Sequence, residues 1–430
     1  MQEWHWTGHI PVDQLPSHAF FDNPPTMKTF CYALVLAAVP SLLVAQECGT
    51  GRYTDLNFFV ETTMTTVDYG ANTGVSGGNQ VLRMDVYQPV GDVLTDRPVV
   101  IVAFGGSFIG GARADVADLC IFFAKLGYVA VAPDYRVGFF LPNGATTTRA
   151  VMRGTHDMKA VVRYLRKSVA EDSNPFNIDP DRIITGGVSA GAISAIHAVY
   201  LDEDSEMPVI LAGEAAALGG IEGNSGSPGY SSDVFACYSF SGAIADTLYI
   251  VPGDTPLASV HEVGDGVVPC YTQEVSVVGI PTGLIASGSH DIHVRMDNLQ
   301  NTNCFLSYPG TGHVGYLTSD FAGSTGFIAQ FLSDLVCGTE PTCGPLATAV
   351  NTLDANEPTK AYPNPTRDVV SVDVPVGSIA TIHDAQGREL FTQRATATTT
   401  RFDLSGHPDG VYTIRVAGTA PAIQVIKLDR

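Results

Sequence analysis

The sequence predicts an α/β domain with a largely parallel sheet, followed by a small all-β sandwich. Three observations carry this. Between residues 98 and 200, continuous apolar runs of strand length alternate with longer runs of helical periodicity. That rhythm means a parallel sheet with right-handed crossovers. A glycine-flanked serine, Gly187-Val188-Ser189-Ala190-Gly191, stands between one such strand and one such helix. Beyond residue 360 the pattern changes to short strands at close spacing, the signature of a sandwich.

Size and composition allow both parts. The chain has 430 residues, 45% of them hydrophobic and 16% charged, which is enough for a large core and more than one domain. Its formal charge is −21, from 44 acids and 23 bases. So acidic a surface disfavours nucleic acid and anionic membranes as partners and keeps the chain soluble. No glycine loop precedes a Lys-Ser/Thr pair, so a phosphate cradle is not expected.

Residues 1–26 show no clear pattern and read as an upstream extension that is not native. Met27-Lys28 then opens a segment with the features of a secretory signal. A short basic start is followed by an apolar stretch from Phe30 to Ala45, too short for stable membrane insertion and ending in small residues. Cleavage is expected near Ala45. Export implies an oxidising destination, so the cysteines that follow are candidates for disulfides. Seven remain after the signal, an odd number that leaves at least one thiol unpaired within the chain. Cys337 with Cys343 is the expected local bridge; Cys48 with Cys120 and Cys237 with Cys270 are further candidates. There is no Cys-x-x-Cys pair, which argues against zinc-ribbon or thioredoxin chemistry.

The elements follow in order. Residues 48–90 are β-rich, with a strand over Val81–Tyr87. Pro98–Phe104 is a buried strand that runs into Gly105-Gly106-Ser107-Phe108-Ile109-Gly110-Gly111, a loop whose backbone N–H groups are free of bulky side chains. A helix spans Val116–Leu126 and a second buried strand Tyr128–Ala132, ending in Pro133-Asp134-Tyr135-Arg136. A long amphipathic helix runs over about Thr148–Val169. The strand Arg182–Thr185 enters the serine turn and a helix over Ala192–Tyr200 leaves it. Asp202, Glu203, Asp204 and Glu206 form an acidic patch that reads as a solvated face, with a calcium site as the alternative. Gly219–Ser232 is either part of a lid or an exposed insertion. Strands are expected over Phe235–Phe240, Pro256–His261 and Cys304–Tyr308.

In parallel sheets the ligand site lies beyond the carboxyl ends of the strands. Ser189, Asp265 and His313 each follow a strand at that edge, in the order serine, acid, histidine. A serine hydroxyl is a weak nucleophile unless a base takes its proton, and the base needs a partner that fixes its tautomer. The sharp strand-to-helix turn lifts the serine out of the sheet and admits only small neighbours. Other histidines read differently. His261 packs at a strand end. His290 and His293 form a solvated helix end, although their spacing suits a metal. His156 and His197 are structural.

The stretch from about 80 to 335 resembles an α/β-hydrolase of the carboxylesterase type. The resemblance rests on Phe104-Gly105-Gly106-Ser107-Phe108, Pro133-Asp134-Tyr135-Arg136, Gly187-Val188-Ser189-Ala190-Gly191, the run His261 to Pro269, and Gly312-His313. It implies Ser189 as nucleophile, His313 as base and Asp265 as orienting acid. The N–H groups of Gly106, Ser107 and Ala190 would form the oxyanion hole. No metal or organic cofactor is implied. Phe104 stands where that family usually carries histidine, and Glu262 where it often carries glycine. The departure at Phe104 bears on the shape of the oxyanion loop.

Residues 338–360 read as a linker rich in Pro, Thr and Gly. Residues 361–430 resemble the C-terminal sorting domain of cargo for the bacterial type IX secretion system. The matching pieces are Tyr362-Pro363-Asn364-Pro365, the Asp384–Arg388 turn, and the strand Gly410–Val416. This resemblance implies the secretion machinery as a partner, passage through the periplasm, and a secreted or cell-surface destination. A carbohydrate-binding sandwich is the alternative, and the absence of tryptophan from the module weakens it. Together these readings lead to a secreted serine esterase acting on a small or polymeric ester through an acyl-enzyme. A serine peptidase of the same fold and a non-catalytic binding protein are the rivals. Such peptidases usually carry a large accessory domain, and binding relatives typically lose the serine or the histidine.

Overall fold

The computed structural model describes residues 47–344, 361–374, 378–384, 388–416 and 423–428. The signal segment and most of the linker lie outside them. By compactness the chain divides after Thr50, and Gly51–Arg430 holds every element described below.

An eight-stranded sheet forms the frame. Its strands are β1 (Thr62–Thr73), β2 (Asn79–Pro89), β3 (Arg97–Ala103), β4 (Val129–Pro133), β5 (Ile178–Val188), β6 (Ala236–Phe240), β8 (Leu257–Glu262) and β11 (Asn303–Tyr308). They lie in the order β1-β2-β4-β3-β5-β6-β8-β11. The first two pairings are antiparallel and every later one is parallel. The central strands are largely apolar. In β3, β4, β6 and β8 every residue is buried, because helices cover both faces. Those helices are α1 (Ala117–Lys125), α2 (Gly144–Glu171), α3 (Ala190–Tyr200), α4 (Ser289–Leu299) and α5 (Phe321–Val336). α2 starts earlier than its apolar periodicity predicts. Asn143 caps it, its side chain accepting from the Thr146 N–H at 3.1 Å.

A smaller sheet pairs β7 (Ala243–Ile244), β10 (Ile280–Gly288) and β9 (Gln273–Val277) in the order β7-β10-β9. The last two form a hairpin with no counterpart in the sequence expectations, because neither strand carries an uninterrupted apolar run.

Gly219–Ser232 is neither a lid nor a loose insertion. Ser225 is fully buried, and its carbonyl accepts from the Ala71 N–H at 2.9 Å. Arg163 on α2 donates to the carbonyls of Gly226 and Glu222 at 3.0 and 2.9 Å. The buried pair Arg136–Asp157, at 2.9 Å, also holds Ser225 through a hydroxyl bond of 2.5 Å. The loop is pinned against β1 and α2.

The cysteines also depart from expectation. Cys343 bridges Cys304 on β11, with Cα atoms 5.2 Å apart. Asp334 gathers the intervening loop: its carbonyl accepts from the Thr339 N–H at 2.8 Å and its carboxylate from the Thr342 N–H at 3.0 Å. That curl aims Cys343 at the sheet edge instead of at Cys337, which is engaged in a different disulfide. Cys120, Cys237 and Cys270 are free and buried, so the pairings Cys48–Cys120 and Cys237–Cys270 do not form.

The C-terminal part forms two antiparallel sheets. One is β12 (Ala361–Tyr362), β13 (Val369–Asp373) and β16 (Thr399–Asp403). The other runs β15 (Glu389–Arg394), β14 (Ile379–His383), β17 (Gly410–Val416) and β18 (Ile423–Lys427). They share one apolar core, which includes Val370, Val372, Ile382, Phe402, Ile414 and Val425. That is a sandwich.

Candidate active site

Ser189 follows β5 and precedes α3 with φ 54° and ψ −119°, a conformation unfavourable for any residue with a Cβ. The flanking glycines are required by close approach. A Cβ on Gly187 or Gly191 would lie 2.4 or 2.3 Å from the carbonyl oxygen of Ala103 at the end of β3. The Ser189 N–H donates to the Phe240 carbonyl at 2.8 Å, which ties the turn to β6.

Three side chains meet there. The Ser189 Oγ lies 2.8 Å from His313 Nε2, and His313 Nδ1 lies 2.7 Å from Asp265 Oδ2. The carboxylate can only accept, so Nδ1 carries the hydrogen and Nε2 is left to accept from the serine. Asp265 is almost fully buried, and its other oxygen accepts from the Val267 and Val268 N–H groups at 2.8 and 3.0 Å. Burial alone would push this carboxyl's pKa up. Hydrogen bonds from His261, His313 and the Val267 N–H outweigh it and hold the acid well below the ordinary carboxylate range. A hydroxyl, a neutral imidazole and a fixed anion in this series can pass a proton off the serine as it attacks a carbonyl.

Ser107 and Ala190 line the same cavity as Ser189, and Gly106 precedes Ser107. Among the described residues their N–H groups have no backbone acceptor. A Cβ on Gly105 would lie 3.2 Å from that of Ser189, so the glycine loop presses against the turn. Gly106 has φ 122°, and Ser107 and Phe108 have φ 55° and 58°. This left-handed run folds the loop back on itself, with Ile109 N–H donating to the Gly106 carbonyl at 2.9 Å. Phe104 is buried and stacks on Tyr135 at 4.3 Å between centroids, and the Tyr135 hydroxyl donates to the Phe104 carbonyl at 2.7 Å. Aromatic packing thus holds the loop at the position where the resemblance leads one to expect histidine. The N-terminus of α3 behind the serine adds a favourable dipole for negative charge.

Sequence reasoning missed two features. One is a cavity of about 300 Å³ beside Ser189. Its walls come from α2 (Val151, Met152), α3 (Ile193), the segment Val267–Pro269 and both strands of the hairpin. No Asp, Glu, Lys or Arg lines it among the described residues. His197 does, but it is spent: Nδ1 bonds the Ile193 carbonyl at 2.8 Å and Nε2 accepts from the Ala245 N–H at 3.1 Å. Burial lowers its pKa to about 4, so it stays neutral. The Thr147 hydroxyl on this wall is buried without a partner among the described residues. The second missed feature is His261, which does more than fill a strand end; its Nε2 lies 3.3 Å from Asp265 Oδ2.

The remaining expectations fall elsewhere. His293 is buried and stacked on Phe305, with its pKa lowered by burial to about 4, so it is not part of a solvated helix end. No group of three His, Cys, Asp or Glu side chains among the described residues is placed to hold a metal. Among them, too, no helix is long and apolar enough to cross a membrane. Glu262 lies under the His313 turn and accepts from the Gly315 N–H at 3.1 Å.

Residues 84–224 match the family model described as BD-FAE, and residues 360–427 match the secretion system C-terminal sorting domain. The chain joins an α/β-hydrolase region to a type IX secretion sorting domain. The sorting domain marks it as secreted or cell-surface. The chain is 28% identical over 142 residues to Lipase 1 of Geotrichum candidum, covering 30% of this chain and 23% of that lipase. The match therefore spans less than a quarter of the relative. Among solved structures, Thermogutta terrifontis esterase 2 phosphorylated by paraoxon is 20% identical, with 59% of this chain and 85% of that one covered and a TM-score of 0.43. Its propionate-bound form is 21% identical over the same shares, with a TM-score of 0.41.

Proposed function

We propose that this protein is an exported serine carboxylic ester hydrolase that works through an acyl-enzyme. The observation that carries the reading is the hydrogen-bonded series Ser189–His313–Asp265, at 2.8 and 2.7 Å, at the mouth of an uncharged cavity. Ser189 attacks the ester carbonyl as His313 accepts its proton. The oxyanion is met by the N–H groups of Gly106, Ser107 and Ala190. His313 then protonates the leaving alcohol, and water, activated by the same imidazole, deacylates the serine. The uncharged cavity favours an ester with an apolar acyl or alcohol group. It gives a charged peptide terminus no counter-ion, which weighs against the peptidase reading.

The accompanying division assigns residues 27–45 to a signal peptide, 46–337 to the catalytic domain, 338–360 to a linker and 361–430 to the sorting domain. The whole reading is tested by labelling native protein and Ser189→Ala with a fluorophosphonate probe, then assaying p-nitrophenyl esters against aminoacyl anilides. Ser189-dependent labelling with ester turnover is the expected result. Labelling that survives in Ser189→Ala, or turnover of anilides alone, would overturn it.

A further inference from the structure

His261 stands outside the three residues just given roles, yet it is built into the same acid. It is fully buried at the end of β8, four residues before Asp265. Its Nε2 lies 3.1 Å from the Val268 carbonyl and 3.3 Å from Asp265 Oδ2. A carbonyl and a carboxylate only accept, so Nε2 must carry the hydrogen. Its Nδ1 lies 2.8 Å from the Ser289 hydroxyl at the start of α4. With Nε2 protonated and the ring neutral, Nδ1 accepts from that hydroxyl, which fixes the tautomer. Asp265 Oδ2 therefore has an imidazole on each side, His313 at 2.7 Å and His261 at 3.3 Å.

We propose that His261, held by Ser289, is a positioning residue that aims the Asp265 carboxylate at His313. The inference rests on the triad reading above. Its shared N–H ties the backbone of the acid loop, at Val268, to the carboxylate itself. The Val267 and Val268 N–H groups hold Oδ1 of this carboxylate, at 2.8 and 3.0 Å. A donor on the far side of Oδ2, between two fully buried side chains, holds the second oxygen as well without competing for the His313 hydrogen. A purely space-filling residue would need no donor and no tautomer control. Here both ring nitrogens are committed, in directions that agree.

The test uses full-length protein and p-nitrophenyl butyrate, with thermal melting as the fold control. Asparagine places its amide near the ring Nδ1 and leaves Asp265 and Val268 without a donor. Glutamine reaches the Nε2 position and restores one. His261→Asn is expected to lower kcat about tenfold with KM within about twofold, the loss of one hydrogen bond to a charged group. His261→Gln should recover to within about threefold of wild type, and Ser289→Ala should lose about threefold by releasing the tautomer. Equal losses in the asparagine and glutamine variants would reduce His261 to packing and overturn the proposal. So would wild-type kcat in His261→Asn alongside an inactive Ser189→Ala, while leaving the triad intact. An active Ser189→Ala would remove both. If His261→Asn does not fold, Ser289→Ala decides alone, and an unchanged kcat there would end the idea.

Discussion

The two halves of the cleft are built on opposite rules. At the reacting end, both carboxylate oxygens of Asp265 and both nitrogens of His313 and His261 are engaged. At the binding end, the wall is mostly apolar and carries no Asp, Glu, Lys or Arg among the described residues, and the Thr147 hydroxyl is buried with no partner among them. The first half needs direction, and hydrogen bonds supply direction. The second needs only volume and dryness, which side chains of many shapes supply equally well. Changes at the reacting end should therefore strike kcat steeply, and changes in the cavity should redistribute preference among substrates.

The largest effect is expected from Ser189→Ala, a loss of about 10⁶-fold in kcat read with a short-chain p-nitrophenyl ester. Residual turnover near wild type would break the contrast outright. Asp265→Asn should cost about 10⁴-fold by favouring the wrong tautomer of His313, with the melting temperature as control. In the cavity, Ala286→Trp should lower kcat/KM for long acyl chains by about 10- to 100-fold and leave acetate esters within about threefold. Equal losses across chain lengths would mean that the cavity does not hold the acyl group.

Stability should follow pH through buried histidines. His156, His197 and His293 each have a folded-state pKa lowered to about 4, with burial the largest cause. Each lies below the unfolded value near 6.5, so the unfolded chain takes up protons that the folded chain refuses. Their stabilisation is whole above pH 6.5 and is lost as pH falls toward 4, by about 2–3 kcal/mol per histidine. Thermal melts from pH 7 to 4.5 should show the decline, and His197→Gln should flatten it. The smallest effect is expected from Thr147→Val, a gain of up to about 1 kcal/mol because it removes an unpaired hydroxyl without changing shape. A loss in the melt would show that the hydroxyl has a partner.

The frame of the candidate site was readable because each part of it is local. Strand β3 is apolar at every position but its first, and α3 is rich in alanine, so their identities follow from composition alone. Gly187 and Gly191 advertise a close approach even before the approaching atom, the Ala103 carbonyl, is known. The serine, acid and histidine each followed a strand, and a parallel sheet brings strand ends to one edge whatever lies between them. The short strands of the C-terminal part were legible as a pattern, while β15, with one apolar pair in Glu389–Arg394, carries little local signal.

What the chain alone determined, then, were the apolar strands of the main sheet, the strained serine turn, and the order of the proposed reacting groups along the chain. What only the tertiary structure decided were meetings between distant segments. The hairpin Gln273–Gly288 became a cavity wall, Cys343 found Cys304 instead of Cys337, and the Gly219–Ser232 loop was pinned to α2. His261 turned toward Asp265 because β8 ends where the acid loop folds back. Local propensity is written in adjacent residues, whereas these contacts arise only when loop closure has been repaid by packing, and no short window of sequence records that balance.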